Sequence, residues 1–143
     1  MCESRPLLPG VETLLQDARE LGLARAVASS SSCGWVESWL GRHGIRDLLD
    51  VVVARDDVTN VKPDPELFLL AARRLGVAPA GCLVFEDSPN GMRAAGAAGM
   101  RCVAVPNALT RSLPRPEVEL VLEALDERPL ASVLGAVTGD VRA

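Results

Sequence analysis

Between positions 82 and 92 the chain changes character twice. Residues 82–85 are apolar and β-rich, Glu86 and Asp87 are adjacent carboxylates, and Ser88-Pro89-Asn90-Gly91-Met92 carries the signature of a helix start. An apolar run without polar alternation predicts a strand buried on both faces, hence a parallel sheet. Ser88 is a favourable N-cap and Pro89 suits the first helical position, so the helix begins directly after the acids. Ala94, Ala95, Gly96, Ala97 and Ala98 give that helix almost no bulk, which allows it to lie close against the sheet, and Gly99 is its expected stop. Glu86 and Asp87 are thereby predicted at the carboxyl end of a strand, where open α/β sheets place their ligands. Two neighbouring anions repel, and a hard cation such as Mg²⁺ is the usual way to hold them together. On their own, the two acids read as solvated carboxylates of a loop, one of them favouring the helix dipole.

The rest of the chain predicts the same architecture. Val11, Leu14, Leu15, Ala18 and Leu21 fall on one helical face that Gly22 terminates, and residues 23–28 form a strand leading into Ser29-Ser30-Ser31-Ser32. A helix over 34–43 presents Val36, Trp39 and Leu40, with His43 continuing that face as a packing residue. Residues 51–54 form a short strand followed by a polar loop, 55–60. In Lys62-Pro63-Asp64-Pro65 the first proline holds Lys62 extended, Asp64 is a potential cap, and Pro65 opens a helix whose Leu67, Phe68, Ala71, Ala72 and Leu75 face the core. Strands at 101–105 and within 117–122 and a helix over 129–137 complete the order, with 138–143 as a frayed tail. Alternating helices and strands require an α/β fold with a Rossmann-like parallel sheet covered by helices on both faces.

Composition restricts the partners. With 143 residues, 48% hydrophobic and 24% charged, the chain has the content of one globular domain, 1–143. A net charge of −4 and a pI near 5.0 argue against nucleic acid or an anionic membrane as a partner. Cys2, Cys33, Cys82 and Cys102 lack metal-ligand spacing and read as reduced thiols of a cytoplasmic protein. No apolar run approaches the ~18 residues of a membrane span.

Three strand ends thus present hydroxyls (Ser29 to Ser32), a positioned lysine (Lys62) and an acid pair (Glu86, Asp87). Hydroxyls and backbone N–H groups bind phosphate oxygens, lysine neutralises their charge, and Mg²⁺ bridges acid and phosphate. Taken singly, the serine run is an ordinary polar turn and Lys62 an ordinary surface lysine.

As an ordered set, Val27-Ala28-Ser29-Ser30-Ser31, Lys62-Pro63-Asp64-Pro65-Glu66-Leu67-Phe68, and Phe85-Glu86-Asp87-Ser88-Pro89-Asn90-Gly91 with Ala95 and Ala98-Gly99-Met100 resemble the second, third and fourth motifs of the haloacid dehalogenase (HAD) superfamily, in its β-phosphoglucomutase-like branch of phosphatases and mutases. The match runs from about residue 9 to 107. The resemblance implies Mg²⁺-dependent phosphoryl transfer on a small phosphorylated metabolite. Ser29 and Ser30 would bind phosphate, Lys62 would be catalytic and bind phosphate, and Glu86 and Asp87 would bind Mg²⁺ directly or through water. Asn60-Val61 stands where the family commonly has a glycine before the lysine, and Ser32-Cys33 where it often has a basic-polar pair.

The family also begins with a central strand ending in Asp-x-Asp, which supplies nucleophile and acid/base, and then a substrate-selecting cap. Residues 1–8 contain no aspartate. The expectation is therefore a partial core, inactive alone, whose alternative role is non-catalytic phosphate, metal or partner binding. Unpaired strands either side of the absent one would favour self-association, unless they close the gap by pairing with each other.

Overall fold

The computed structural model describes residues 10–108 and 110–138. Among the described residues five helices and five strands alternate up to β4, after which a second strand precedes the last helix: α1 (Val11–Glu20), β1 (Ala26–Ala28), α2 (Cys33–Arg42), β2 (Val51–Val53), α3 (Glu66–Leu75), β3 (Leu83–Glu86), α4 (Pro89–Ala97), β4 (Arg101–Ala104), β5 (Leu120–Val121) and α5 (Leu130–Thr138). The expected order is observed, with strands shorter than their apolar runs. Residues 23 and 24 stay outside β1, because at the next residue, Arg25, the backbone N–H donates to Asp50 Oδ2 (2.9 Å) and the guanidinium to the carbonyls of Leu23 and Leu48. Leu21, expected on the buried face of α1, caps the helix instead and is 51% exposed. Among the described residues no helix is long and apolar enough to cross a membrane. Residues 1–9 and 139–143, including Cys2 and most of the expected tail, lie outside the described part.

All strand pairing is parallel, as expected, but it forms two sheets, β1–β2 and β3–β4–β5. Helices cover both faces. On one face Val27 and Val52 pack with Val36 and Leu40 of α2 and Val11 and Leu15 of α1, while Val103 and Phe85 pack with Val133 of α5. On the other, Ala26, Ala28, Val51 and Val53 pack under Leu67 and Ala71 of α3, and Val84, Cys102 and Ala104 under the small residues of α4. Ala94 and Ala95 are completely buried, so the absence of bulk does bring α4 down onto its strands.

Pairing register shows where the two sheets are open. Ser29 N–H donates to Val53 and Val51 N–H to Arg25, so odd residues of β1 address β2 and the backbones of Ala26 and Ala28 point away from it. Val105 N–H donates to Glu86, so Leu83 and Phe85 likewise turn their backbones away from β4. Among the described residues β1 and β3 do not pair with each other; the gap does not close. It is bridged on one face by α3, whose Phe68 and Ala72 share a cluster with Val84 and against which Ala28 also packs.

Candidate active site

Each expected site residue lies at the carboxyl end of a strand or in the loop that follows it. Lys62 is placed by a loop built on α3. Asp64 Oδ1 accepts from the N–H of Glu66 (2.9 Å), the capping role anticipated for it, although Pro65 sits at the N-cap and α3 starts at Glu66. The Glu66 carboxylate in turn accepts from the backbone N–H groups of Thr59 and Asn60 at 3.0 and 2.9 Å. These two backbone donors hold the Glu66 carboxyl below its usual range. The Lys62–Pro63 peptide is cis.

From this loop Lys62 crosses to the other sheet. Its Nζ lies 2.8 Å from Glu86 Oε2 and 4.9 Å from the centroid of the Phe68 ring, which contributes a cation–π contact. The two side chains are 14% and 8% exposed, so this ion pair is largely out of water. The other carboxylate oxygen, Glu86 Oε1, accepts from Asp87 N–H (3.2 Å), Ser88 N–H (3.4 Å) and the Ser88 hydroxyl (3.3 Å). Glu86 therefore has both oxygens engaged by the protein. It shares a sheet face with Val84, and that face lies against α4. Gly91 permits the fit: a Cβ built there would overlap the Glu86 carboxyl group.

Asp87 differs from its neighbour. Only Oδ2 is engaged among the described residues, by the side-chain amide of Asn107 at 3.1 Å. Its backbone carbonyl accepts from the Thr110 hydroxyl at 2.7 Å. Since Lys62 offsets Glu86, Asp87 is the carboxylate whose charge remains available. No group of three or more metal-ligating side chains gathers among the described residues. A hard cation nevertheless suits the donor set: one half-buried carboxylate oxygen, with Glu86 behind it, matches the sparse protein ligation that Mg²⁺ accepts when water and phosphate fill the remaining positions.

The hydroxyls occupy the other side of the gap. Ser29 Oγ accepts from Ser31 N–H (3.0 Å), Arg55 N–H holds the Ser31 carbonyl (2.9 Å), and Ser32 caps α2 by accepting from Trp35 N–H (3.3 Å). Ser29 and Ser30 are half-buried at the end of β1, with no hydrogen bond to Lys62, Glu86 or Asp87 among the described residues. The structure thus joins Lys62 to the acids and leaves the serines apart. The His43 ring packs against Trp39 with centroids 4.5 Å apart and planes tilted by 55°, the packing role expected of it. Cys102, buried beside the site, has its thiol pushed up to about 12, by burial first and then by the nearby Glu86 and Glu119, which disfavours the thiolate.

Comparison with known proteins shows the family of the chain. The model of the haloacid dehalogenase-like hydrolase family matches residues 3–105. The chain belongs to this family. It is 49% identical over 132 residues to the protein YhcW of Bacillus subtilis (strain 168), covering 92% of the chain and 60% of that protein. It is 37% identical over 134 residues to hexitol phosphatase B of Escherichia coli (strain K12), covering 93% and 60%. Among solved structures, that of CbbY from Rhodobacter sphaeroides in complex with phosphate superposes with a TM-score of 0.81 at 33% identity, covering 88% of the chain and 59% of the structure. The chain thus spans about three-fifths of the length of these relatives.

Asn107, Thr110 and the double engagement of Glu86 were not found by sequence reasoning. Asn107 did carry a signal, since a polar residue just past a buried strand at 101–105 stands at a fourth strand end beside the acids.

Proposed function

We propose that the chain carries the phosphate- and metal-binding part of a HAD-family phosphoryl-transfer enzyme of the β-phosphoglucomutase-like branch, acting on a small phosphorylated metabolite. The observation that carries this reading is the Lys62–Glu86 ion pair, which holds an ammonium group beside the available Asp87 carboxylate at the strand ends. In this reading Ser29 and Ser30 bind the phosphoryl oxygens, and Lys62 neutralises the charge they carry. Asp87 holds Mg²⁺ directly, and Glu86 supports it through water while orienting Lys62. The cation supplies charge neutralisation at the phosphoryl group. Hydrolysis is preferred over mutase chemistry because a relative with 60% of its length covered is a hexitol phosphatase.

Residues 1–143 alone are expected to bind phosphate without turning it over, because covalent phosphoryl transfer requires a carboxylate nucleophile in reach of phosphorus and Glu86 is already engaged by four donors. The test is ³¹P NMR titration of inorganic phosphate with and without Mg²⁺, beside an assay with p-nitrophenyl phosphate. Phosphate should bind more tightly with Mg²⁺, and Ser29→Ala and Lys62→Ala should each weaken it. Binding indifferent to both substitutions would overturn the site. A Mg²⁺-dependent rate abolished by Lys62→Ala would overturn the inactivity of the isolated chain.

A further inference from the structure

Asp87 is held by a device that belongs to neither the phosphate-binding strand end nor the lysine loop. Asn107 and Thr110, three residues apart beyond β4, bind each other reciprocally. Asn107 N–H donates to Thr110 Oγ1 (3.0 Å), and Thr110 N–H donates to Asn107 Oδ1 (2.9 Å). With Oδ1 accepting from that N–H, the end of the Asn107 amide that turns to Asp87 is its NH₂ group, which can only donate. It donates to Asp87 Oδ2, while the Thr110 hydroxyl, already accepting from Asn107, donates its proton to the Asp87 carbonyl. One closed unit therefore grips both the side chain and the backbone carbonyl of Asp87, while Glu86 Oε1 accepts from the Asp87 N–H.

We infer that Asn107 and Thr110 are positioning residues for metal binding, fixing Asp87 so that Oδ1 faces the cation. The inference rests on the proposed metal role of Asp87 and adds to it two residues. Groups that orient a ligating carboxylate are worth a measurable part of the affinity, because a carboxylate free to rotate must be ordered by the metal itself.

Mn²⁺ is the probe, used with the 1–143 chain. Its affinity is read by electron paramagnetic resonance of the free ion, and its place by paramagnetic broadening of ¹⁵N-labelled amide signals. Asn107→Ala and Thr110→Val should each weaken Mn²⁺ binding by roughly tenfold. Thr110→Ser, which keeps the hydroxyl, should restore it, and broadening should centre on the Asp87 amide and the Asn107 side-chain NH₂. Circular dichroism of each variant separates this from unfolding, and the serine rescue stands even where the valine variant is destabilised. Binding abolished by Asp87→Asn but untouched by Asn107→Ala and Thr110→Val overturns the positioning role and leaves Asp87 as a ligand. Binding unaffected by Asp87→Asn overturns the metal reading, and the positioning role with it.

Discussion

Two strand-to-helix turns in this molecule are built to one plan and used differently. After β1 come serines, a serine N-cap and α2 with Gly34 in its first turn; after β3 come the acids, a serine N-cap and α4 with Gly91 in its first turn. Ser32 does nothing among the described residues but cap its helix, whereas Ser88 accepts from Gly91 N–H at 3.1 Å and also donates to Glu86. A Cβ on Gly34 would meet nothing within 4 Å, while one on Gly91 would collide with Glu86. The acid turn is thus organised before any ligand arrives, with its hydrogen bonds made inside the protein. In the hydroxyl turn the Ser29 and Ser32 side chains accept only from backbone N–H groups of their own turn and helix, and neither bonds to Lys62 or the acids among the described residues. Under the proposed function, the side that carries the like charges is the one whose hydrogen bonds are closed within the protein.

Substituting the two glycines is the severest way to break this comparison. Gly91→Ala forces Glu86 out of its seat, so overpacking is compounded by loss of the Lys62 pair, and a destabilisation of ~4 kcal/mol is expected. Gly34→Ala should be neutral or stabilising by up to ~1 kcal/mol, since only helix propensity changes. Urea unfolding of both variants decides it. Equal stabilities would mean that the acid turn relaxes freely and is not rigid.

Lys62→Met comes next. It leaves Glu86 buried without a cation, and the expected cost is ~3 kcal/mol, below the upper end for buried pairs because the lysine is 14% exposed. Adding Glu86→Gln should recover a good part of that loss, since glutamine still offers an oxygen to the Asp87 and Ser88 donors. If the double variant is no more stable than the single one, Glu86 is held by its hydrogen bonds and not by charge. The two N-caps give a smaller contrast: Ser32→Ala should cost ~1 kcal/mol and Ser88→Ala ~2 kcal/mol, because only the second also leaves a buried acceptor short of a donor.

Much of this was legible in the sequence because local chemistry decided it. Ser88-Pro89 placed the start of α4, Asp64-Pro65 placed α3 to within a residue, and glycines 22 and 99 stand in the left-handed conformation just past the helix ends where they were expected. What stayed hidden was contact between distant segments. Nothing near Glu86 announces that Lys62, 24 positions earlier, takes one of its oxygens, or that Asn107, 20 positions after Asp87, takes one of its neighbour's. Adjacent acids look equivalent in a sequence, and the fold makes one a structural anchor and leaves the other available. That β1 and β3 stay apart among the described residues was likewise foreseeable only as one of two alternatives, because pairing or staying apart depends on whether α3 spans the gap, a matter of packing and not of pattern.

The smallest expected effect is a pH dependence in the loop that carries Lys62 between the two turns. Glu66 accepts from the N–H groups of Thr59 and Asn60, and these bonds favour its charged form, lowering its carboxyl from the ordinary value of 4.5. A carboxyl lowered on folding contributes to stability above its unfolded value, and the contribution fades as pH falls through the folded one. The loop should therefore loosen only below pH 4.5, progressively as Glu66 is protonated. The Glu66 side chain is only partly covered, so the global stability should hardly register the change; the local hydrogen bonds should. The check is amide hydrogen exchange of Thr59 and Asn60, normalised to their intrinsic rates, between about pH 6 and about pH 3. Protection should fall in that window in the native chain and be low throughout in Glu66→Ala, with the Ser31 amide, bonded to an uncharged serine oxygen on the hydroxyl turn, as the pH-independent reference. Flat protection at Thr59 and Asn60 across the range would show that the loop is held by Pro63 and Pro65 and not by the Glu66 carboxylate, and Lys62 would then reach Glu86 from a support that acid does not weaken.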